Sequence, residues 1–426
     1  MKSVIELIRA REILSGPGRP TVEVELATND GIRVEASVPS GTSKGKYEAW
    51  EVYDGGKRFR GLGVKKAAEN VNREIAPKLI GENVLAQRRI DNLMRELDGT
   101  KNKQRLGGNA ILAVSLAVAK AGAAAAGLPL YRYLGGLGGV RLPVPLATVI
   151  SGGKHSPSSL DFEDYLLIFD GFSCFADALE ALVEIRYNLG KNLQNKFGLV
   201  ADDGGALAPP LSDTPQAFEL MLEAVEQAGY GGKVRLGLDV AASDLYREER
   251  GLYEVGGREM EPAELIDYYI SLAKQYPLVF IEDPFDQDDF ESFAKLTAAL
   301  PDRKIVGDDL YVTNPERIRM GIERKAGNTL LLKVNQIGTV SEAYDAGILA
   351  LQNGLAVTVS LRSSDTNDSF IADLAVALGA EQIKLGSPVR GERNAKYNRL
   401  LKIEAELGSS ARFAGLGNSC PDGEFN

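Results

Sequence analysis

LVFIEDPFDQDDFESFAKLTAALPDRKIVGDD (residues 278–309) determines the predicted architecture of this chain. It holds two short apolar runs, each ending in a pair of acidic residues, and a helical pattern lies between them. Continuous apolar runs are typical of parallel strands that are buried on both faces. The same pattern recurs in VRLGLD (234–239), LLLKVNQ (330–336), AVTVSLRS (356–363) and QIKLGS (382–387). The second part of the chain is therefore predicted to consist of serial βα units.

Serial βα units over so long a chain favour a closed (β/α)8 barrel, in which the chemistry lies at the C-terminal ends of the strands. Polar residues occur at those ends here, spaced by about 25 residues between Glu282 and Lys384, roughly one βα unit. An open, doubly wound sheet is the structural alternative. No Gly-x-Gly-x-x-Gly motif follows a predicted strand and no Walker-type loop is present, which counts against an open sheet.

The first part of the chain has a different pattern. TVEVELAT (21–28) and IRVEASVP (32–39) alternate apolar and polar residues, and the turn signal Asn-Asp-Gly (29–31) lies between them. This arrangement predicts an antiparallel hairpin. Helical periodicity follows in VKKAAENVNREIAPKLI (64–80) and VLAQRRIDNLMREL (84–97). Strands followed by helices predict a compact α+β domain.

The boundary between the two parts is predicted in the Gly- and Pro-containing stretch GGLGGVRLPVP (135–145). We therefore expect an α+β capping domain over residues 1–135 and a barrel over residues 136–426. The segment GNAILAVSLAVAKAGAAAAG (108–127) resembles a membrane span in length, but it is mostly alanine and contains a central lysine. It is predicted to be a buried helix of a folded domain.

The 426-residue chain carries 59 acidic and 49 basic residues, for a formal net charge of -10. This balance argues against a nucleic-acid or anionic-membrane surface and leaves small anionic substrates possible. The two cysteines, Cys174 and Cys420, are far apart, so neither a disulfide framework nor a structural zinc site is expected. The N-terminal residues lack the apolar region of a signal peptide. We expect a cytoplasmic protein.

Three acidic residues, Asp239, Glu282 and Asp308, lie at the ends of separate strand patterns. In a barrel these ends converge, and three carboxylates so close repel one another unless a cation neutralises them. Oxygen ligands without His or Cys favour Mg²⁺. The alternative is that each acid merely caps the helix after its strand. Three acids in such units, with lysines on later ones, favour a metal site.

Lys333 and Lys384 lie within apolar segments at later strand ends. A buried lysine beside cations has a depressed pKa and can act as a general base, which we expect of Lys333. Its alternative role is that of a counter-ion to the acids. Arg362 and Ser363 follow another strand and could clamp an oxyanion or phosphate. Together these groups suit proton abstraction beside a carboxylate, with a metal stabilising the enediolate.

From AREIL at Ala10 to AKYNRLLKIE ending at Glu404, the chain resembles the enolase family. The strings that carry the resemblance occur in the family's order: PTVEVEL, VPSGTSKG, LDGTKNK, GLDVAASDLY, IEDPF, VGDDLYVTN, KVNQIGT, SLRS and IADLAVA. The resemblance implies an enolase-type barrel behind an α+β capping domain. It also implies dehydration of 2-phosphoglycerate to phosphoenolpyruvate with two Mg²⁺ ions.

The resemblance further implies a role for individual side chains. The metal ligands would be Asp239, Glu282, Asp308 and, for the second ion, Ser43. Lys333 would abstract the C2 proton, with Asp203 and Asp164 completing the catalytic set. The substrate-binding residues would be His155, Lys384, Arg362, Ser363 and Glu163.

The chain departs from the family pattern around the substrate. ADDGGALAP (201–209) places Asp203 where the family has the acid that protonates the leaving hydroxyl, and this loop is one residue longer. Glu163-Asp164 replaces a Gln-Glu pair, and Leu361 replaces a histidine. Pro17 stands in the place of an arginine. Aspartate is one methylene shorter than glutamate, and a displacement near 1 Å can cost about a hundredfold in rate.

Three functions are therefore open. The first is enolase activity with Asp203 as the acid. The second is the same enolate chemistry on a modified phosphoglycerate or a phosphonate. The third is a catalytically weak, binding role on the enolase fold. The resemblance also suggests a homodimer or an octamer of dimers.

Overall fold

The computed structural model describes residues 3–42, 44–154 and 156–415. Its N-terminal part begins with an antiparallel sheet of β1 (Ile5–Leu14), β2 (Pro20–Thr28) and β3 (Arg33–Ser37), in that order. The hairpin predicted from the alternating segments is confirmed as β2–β3. β1 was not predicted, because charged residues interrupt its apolar ones in IELIRAREIL.

The helices of the N-terminal part follow this sheet in the chain. They are α1 (Lys65–Asn70), α2 (Ala76–Leu79), α3 (Gln87–Asp98), α4 (Gly108–Ala125) and α5 (Leu130–Gly135). A π-helical turn over Val71–Ile75 joins α1 to α2. By length and composition α4 alone could span a membrane among the described helices, but 83% of it is buried inside the protein. Its contacts with β2 and β3 confirm the predicted buried helix.

The remaining strands, in chain order, are β4 (Arg141–Leu142), β5 (Val144–Ser151), β6 (Asp164–Ile168), β7 (Ala201–Asp203), β8 (Ala206–Ala208), β9 (Arg235–Asp239), β10 (Tyr246–Arg247), β11 (Leu252–Val255), β12 (Arg258–Met260), β13 (Leu278–Glu282), β14 (Lys304–Gly307), β15 (Thr329–Leu332), β16 (Ala356–Ser360), β17 (Gln382–Lys384) and β18 (Arg412–Phe413). The remaining helices are α6 (Phe175–Phe197), α7 (Thr214–Gln227), α8 (Pro262–Gln275), α9 (Phe290–Ala299), α10 (Pro315–Arg324), α11 (Val334–Ile337), α12 (Val340–Gln352), α13 (Phe370–Leu378) and α14 (Gly391–Leu407).

Eight of these strands close into a barrel: β5, β6, β9, β13, β14, β15, β16 and β17. The barrel closes where β17 pairs in parallel with β5. From β9 to β17 neighbouring strands are parallel and helices lie between them, as the serial βα pattern predicts. The α/β barrel with an N-terminal α+β part is confirmed, and the open doubly wound sheet is not found.

One strand runs against the others. β6 is antiparallel to both of its barrel neighbours, β5 and β9. Parallel neighbours need a crossover, usually a helix. In contrast, β5 and β6 are joined by residues 152–163, and the described residues of this connection, 152–154 and 156–163, form no helix. The reversal brings the start of β6 to the barrel end at which the other strands finish. Asp164 at this start lies opposite Asp239 at the end of β9.

Side-chain caps fix where several outer helices begin. Asp289 accepts a hydrogen bond from the backbone of Ser292 at the start of α9. Asn314 does the same at α10, and Thr339 at α12. Such caps satisfy amide groups that have no partner inside the helix. Each helix therefore starts at a defined point after a strand, which holds the loops between them in place.

Candidate active site

A polar cavity of about 540 Å³ opens at the barrel end where the parallel strands finish. The predicted site residues that line it are Lys333, Asp203, Asp164, Lys384, Arg362, Ser363, Glu163 and Asp239. Glu282 and Asp308 lie behind this wall and pair with the two lysines that line it. Ser43 and His155 lie outside the described residues. The structure therefore brings the described members of the predicted set into one site.

Lys384, at the end of β17, is the centre of a buried acidic cluster. Its Nζ lies 2.6 Å from Asp239 Oδ2, 2.8 Å from Glu282 Oε2 and 3.3 Å from Asp164 Oδ2. Burial and the Asp239 charge raise the pKa of Glu282 well above its ordinary value. Burial alone would lower the pKa of Lys384, but the surrounding carboxylates outweigh it and raise that pKa. One ammonium group thus holds three acids together.

Lys333, just after β15, forms a second buried pair. Its Nζ binds Asp308 Oδ2, and the other Asp308 oxygen accepts a hydrogen bond of 2.7 Å from Gln336. Burial would lower the pKa of Lys333, but Asp308 outweighs it, so the pKa is raised. The depressed pKa was expected for a lysine beside bound cations, and that expectation stays a prediction. The pKa of Asp308 lies below its usual value, because the positive charge of Lys333 outweighs the effect of burial.

The chemistry of the acidic groups fits a cation. Glu282 is fully buried, at 0% exposure, and its Oε1 has no hydrogen-bond partner among the described residues. A buried carboxylate oxygen without a partner is costly unless an ion or a donor binds it. Asp239, at the end of β9, and Asp308, directly after β14, are also buried. These two strands flank β13, which carries Glu282. These oxygen ligands suit Mg²⁺.

A second acidic group lies beside this site and has a structural role. Oxygens of Asp283, Asp308 and Asp309 lie within 4.8 Å of one another. Both oxygens of Asp283 accept backbone hydrogen bonds, from Asp308 N at 2.9 Å and from Asp309 N at 2.7 Å. Asp283 therefore shapes the loop that presents Asp308. Sequence reasoning gave it no role, although the repeated acid pairs were a signal.

Arg362 and Ser363 follow β16 and meet the N-terminal part of the chain. Arg362 Nη1 lies 3.0 Å from Glu48 Oε2, and the pair is buried. Ser363 Oγ accepts a hydrogen bond of 2.9 Å from Thr42 N. The backbones of Ser40 and Ser364 also exchange two hydrogen bonds. Glu48 and Thr42 were not predicted, because no local pattern links residues so distant in the chain.

Three acids that line the cavity come from the segments that depart from the family pattern. Burial, with repulsion from Asp239, raises the pKa of Glu163 to about 8. Burial also raises the pKa of Asp164, whose Oδ2 accepts a hydrogen bond from Thr148 at 3.1 Å. Asp203 accepts one from Ser151 at 2.8 Å. Asp164 and Asp203 therefore lie in a polar, hydrogen-bonded environment, whereas the raised pKa of Glu163 results mainly from burial.

The loop that carries Asp203 is the short hairpin β7–β8, attached to the barrel beside β5. Gly204 and Gly205 form its turn with φ of +63° and +98°, which favours glycine. Leu361, next to Arg362, also lines the cavity. It presents an apolar side chain there, while its backbone N–H donates to the Lys384 carbonyl at 3.1 Å.

Comparisons with known proteins agree with this architecture. Residues 5–134 match the family "Enolase, N-terminal domain", and residues 139–420 match "Enolase, C-terminal TIM barrel domain". The enolase of Methanopyrus kandleri is 53% identical over 412 residues, 95% of this chain and 96% of that protein. The enolase of Methanothrix thermoacetophila is 53% identical over 418 residues, 97% and 99% of the two chains.

The enolase of Pyrococcus furiosus is 52% identical over 413 residues, 95% of this chain and 96% of that protein. These enolases align with nearly the whole of this chain at about 50% identity. The structure has the barrel that the matched family description names. The chain belongs to the enolase family of carbon–oxygen lyases, the phosphopyruvate hydratases.

Proposed function

We propose that the chain carries out the enolase reaction on 2-phosphoglycerate with Lys333 as the base and Asp203 as the acid. The proton on C2 passes to Lys333 Nζ, and the C3 hydroxyl leaves as water with a proton from Asp203. The electron pair of the C2–H bond becomes the C2–C3 double bond of phosphoenolpyruvate. The observation that carries this proposal is that Lys333 and Asp203 line one cavity from different barrel segments.

Enolases use Mg²⁺, and we propose two ions for this chain. Asp239, Glu282 and Asp308 would hold one, which the partnerless Glu282 Oε1 supports. Ser43 is proposed for the second. When bound, Mg²⁺ supplies positive charge that offsets the charge developing on the substrate carboxylate.

Asp308 links the metal ligands to the base. It is the carboxylate that raises the pKa of Lys333 in this structure. If Asp308 bound a cation, its carboxylate would attract the Lys333 ammonium group less strongly. The neutral amine that proton abstraction requires would then be favoured. The pairing seen here therefore suits a base that is activated once the site is filled.

The other side chains bind and orient the substrate in this proposal. Lys384 would hold the carboxylate, because its ammonium group already serves three carboxylates at the same place. Arg362 and Ser363 would hold the phosphate, with His155 facing the substrate from its loop. Glu163, whose pKa of about 8 keeps it protonated at neutral pH, would donate a hydrogen bond. Asp164 would assist Asp203.

A second candidate function is the same enolate chemistry on a modified phosphoglycerate or a phosphonate. Leu361 favours it, because an apolar side chain there offers no hydrogen bond to the substrate. We also propose a domain boundary between residues 1–135 and 136–426, a cytoplasmic location, and assembly as a homodimer or an octamer of dimers.

The proposal is tested with purified protein, Mg²⁺ and 2-phosphoglycerate, following the absorbance of phosphoenolpyruvate. Turnover should be present with Mg²⁺, absent with excess EDTA, and lost in Lys333→Ala. Lys402→Ala is the matched control, because Lys402 is an exposed lysine of α14 away from the cavity. Equal turnover in Lys333→Ala and Lys402→Ala would refute the role of Lys333.

A further inference from the structure

One cation in the cavity wall has no use in the proposed reaction. Arg393 lies in the first turn of α14, lines the cavity and is only 9% exposed. Its guanidinium group passes between two glycines of the wall. A Cβ at Gly204 would lie 2.9 Å from Arg393 Nη2, and one at Gly386 would lie 2.1 Å from Nη1. Both positions therefore keep space for this side chain.

The polar atoms of Arg393 are poorly satisfied. Nε is buried without a hydrogen-bond partner, and Nη1 makes one long contact of 3.5 Å with the Leu385 carbonyl. Within the described ranges, no carboxylate forms an ion pair with it. A buried charge without a counter-ion is expensive. The adjacent Arg390 differs, because it is paired with Asp202.

A second arginine faces the same space. Arg19 lines the cavity from the turn between β1 and β2, and no ion pair of its side chain occurs in the described part of the chain. This turn packs on the start of α14, since a Cβ at Gly16 would lie 2.4 Å from Glu392 Cδ. Glu392 also lines the cavity but pairs with neither arginine.

The position of this cationic wall relates to the reaction. Gly204, which contacts Arg393, directly follows Asp203, the proposed acid for the C3 hydroxyl. Arg362 and Ser363, proposed for the phosphate, belong to another segment, after β16. Arg393 thus lies on the leaving-group side of the cavity, whereas the turn that carries Arg19 also contacts the segment after β16, because the Gly16 N–H donates to the Asp365 carbonyl at 2.8 Å.

We propose that Arg393 and Arg19 form a second anion subsite, so that the cavity accepts phosphoglycerate-type acids with a third anionic group on C3. A carboxylate or phosphonate there would supply the counter-ion that Arg393 lacks, through charge-assisted hydrogen bonds. The subsite deepens the proposed function and rests on it for the orientation of the substrate.

The test compares two non-reactive ligands by isothermal titration calorimetry in Mg²⁺. Both 2-phosphonopropionate and 2-phosphonosuccinate carry a phosphonate and a carboxylate, and only the second adds a carboxylate on the C3 carbon. The wild type should bind 2-phosphonosuccinate about tenfold or more tightly, the scale of one charge-assisted hydrogen bond. Arg393→Gln should reduce this preference to about twofold or less, while its affinity for 2-phosphonopropionate stays within about twofold, which also shows that the variant is folded.

Arg19 is the more exposed of the two arginines, and Arg19→Gln should partly reduce the preference for 2-phosphonosuccinate. This variant replaces Arg393→Gln as the test if Arg393→Gln does not fold. Arg412→Gln is the control for losing one positive charge, because Arg412 is exposed and outside the cavity. Equal affinities of the wild type for the two ligands would overturn the subsite, as would a preference that survives both variants. Turnover of 2-phosphoglycerate is measured separately. Its absence beside an intact ligand preference would refute the proposed function alone.

Discussion

The two sides of the catalytic cavity differ in how their charges are balanced. On the side of Lys333 and Lys384, acids and ammonium groups form buried pairs with short contacts. On the side of Asp203 and Arg393, a buried arginine has no counter-ion among the described residues. The first side has what proton abstraction needs. We propose that the second side, where the sequence leaves the family pattern, selects the substrate.

The largest effect is expected where one cation holds three acids. Lys384→Met removes the ammonium group and leaves buried carboxylates without a partner. Breaking a buried ionic cluster in this way should lower the free energy of unfolding by about 3–5 kcal/mol. Urea denaturation in EDTA measures it, with Lys402→Met as the surface control. A loss below about 1 kcal/mol, typical of surface pairs, would show that Lys384 is not the centre of the cluster.

The leaving-group acid should affect dehydration strongly. Asp203→Asn keeps the size of the side chain and the capacity to accept from Ser151, but it cannot deliver a proton. Formation of phosphoenolpyruvate should fall by about 10²–10⁴-fold, the range for loss of a general acid. Asp203→Glu should retain far more turnover, because it keeps the carboxyl group. If Asp203→Asn turns over like the wild type, another acid protonates the hydroxyl.

The raised pKa of Glu163 predicts a dependence of stability on pH. Burial and Asp239 raise the pKa to about 8 in the folded protein. Between the ordinary glutamate pKa and about 8, the folded state binds more protons than the unfolded state, so this group contributes stability that is lost as pH rises. Relative to the wild type, Glu163→Gln should therefore gain about 3–4 kcal/mol between pH 5 and pH 8.

Urea denaturation at the two pH values, in EDTA, measures this difference. Glu96→Gln on the exposed face of α3 is the control and should follow the wild type at both pH values. A Glu163→Gln variant that also parallels the wild type would mean that Glu163 is ionised across this range.

The smallest effect is expected at Leu361. Leu361→His adds a hydrogen-bonding group to the cavity wall and should lower the KM for 2-phosphoglycerate by about fivefold at most, the scale of one hydrogen bond. Leu361→Met keeps the apolar volume and should leave KM unchanged. Steady-state kinetics of the wild type and of both variants measure these KM values. A higher KM in Leu361→His would indicate that the cavity favours an apolar neighbour for a different substrate.

Local patterns predict the acids and lysines at the strand ends, because buried parallel strands leave apolar runs and the chemistry follows each run. Local patterns do not predict the reversed direction of β6, which depends on its antiparallel pairing with β5 and β9. They also do not predict the Glu48–Arg362 pair, which joins residues far apart in the chain. The raised pKa of Lys333 also depends on a tertiary contact, with Asp308, which no local pattern of the sequence specifies.

Exchange of the C2 proton of 2-phosphoglycerate with solvent deuterium tests whether the two sides of the cavity act separately. Followed by NMR in Mg²⁺, exchange should proceed in the wild type and in Asp203→Asn, and it should stop in Lys333→Ala. Exchange that continues in Lys333→Ala at the wild-type rate, or that stops in Asp203→Asn, would contradict the assignment of proton abstraction to the Lys333 side alone.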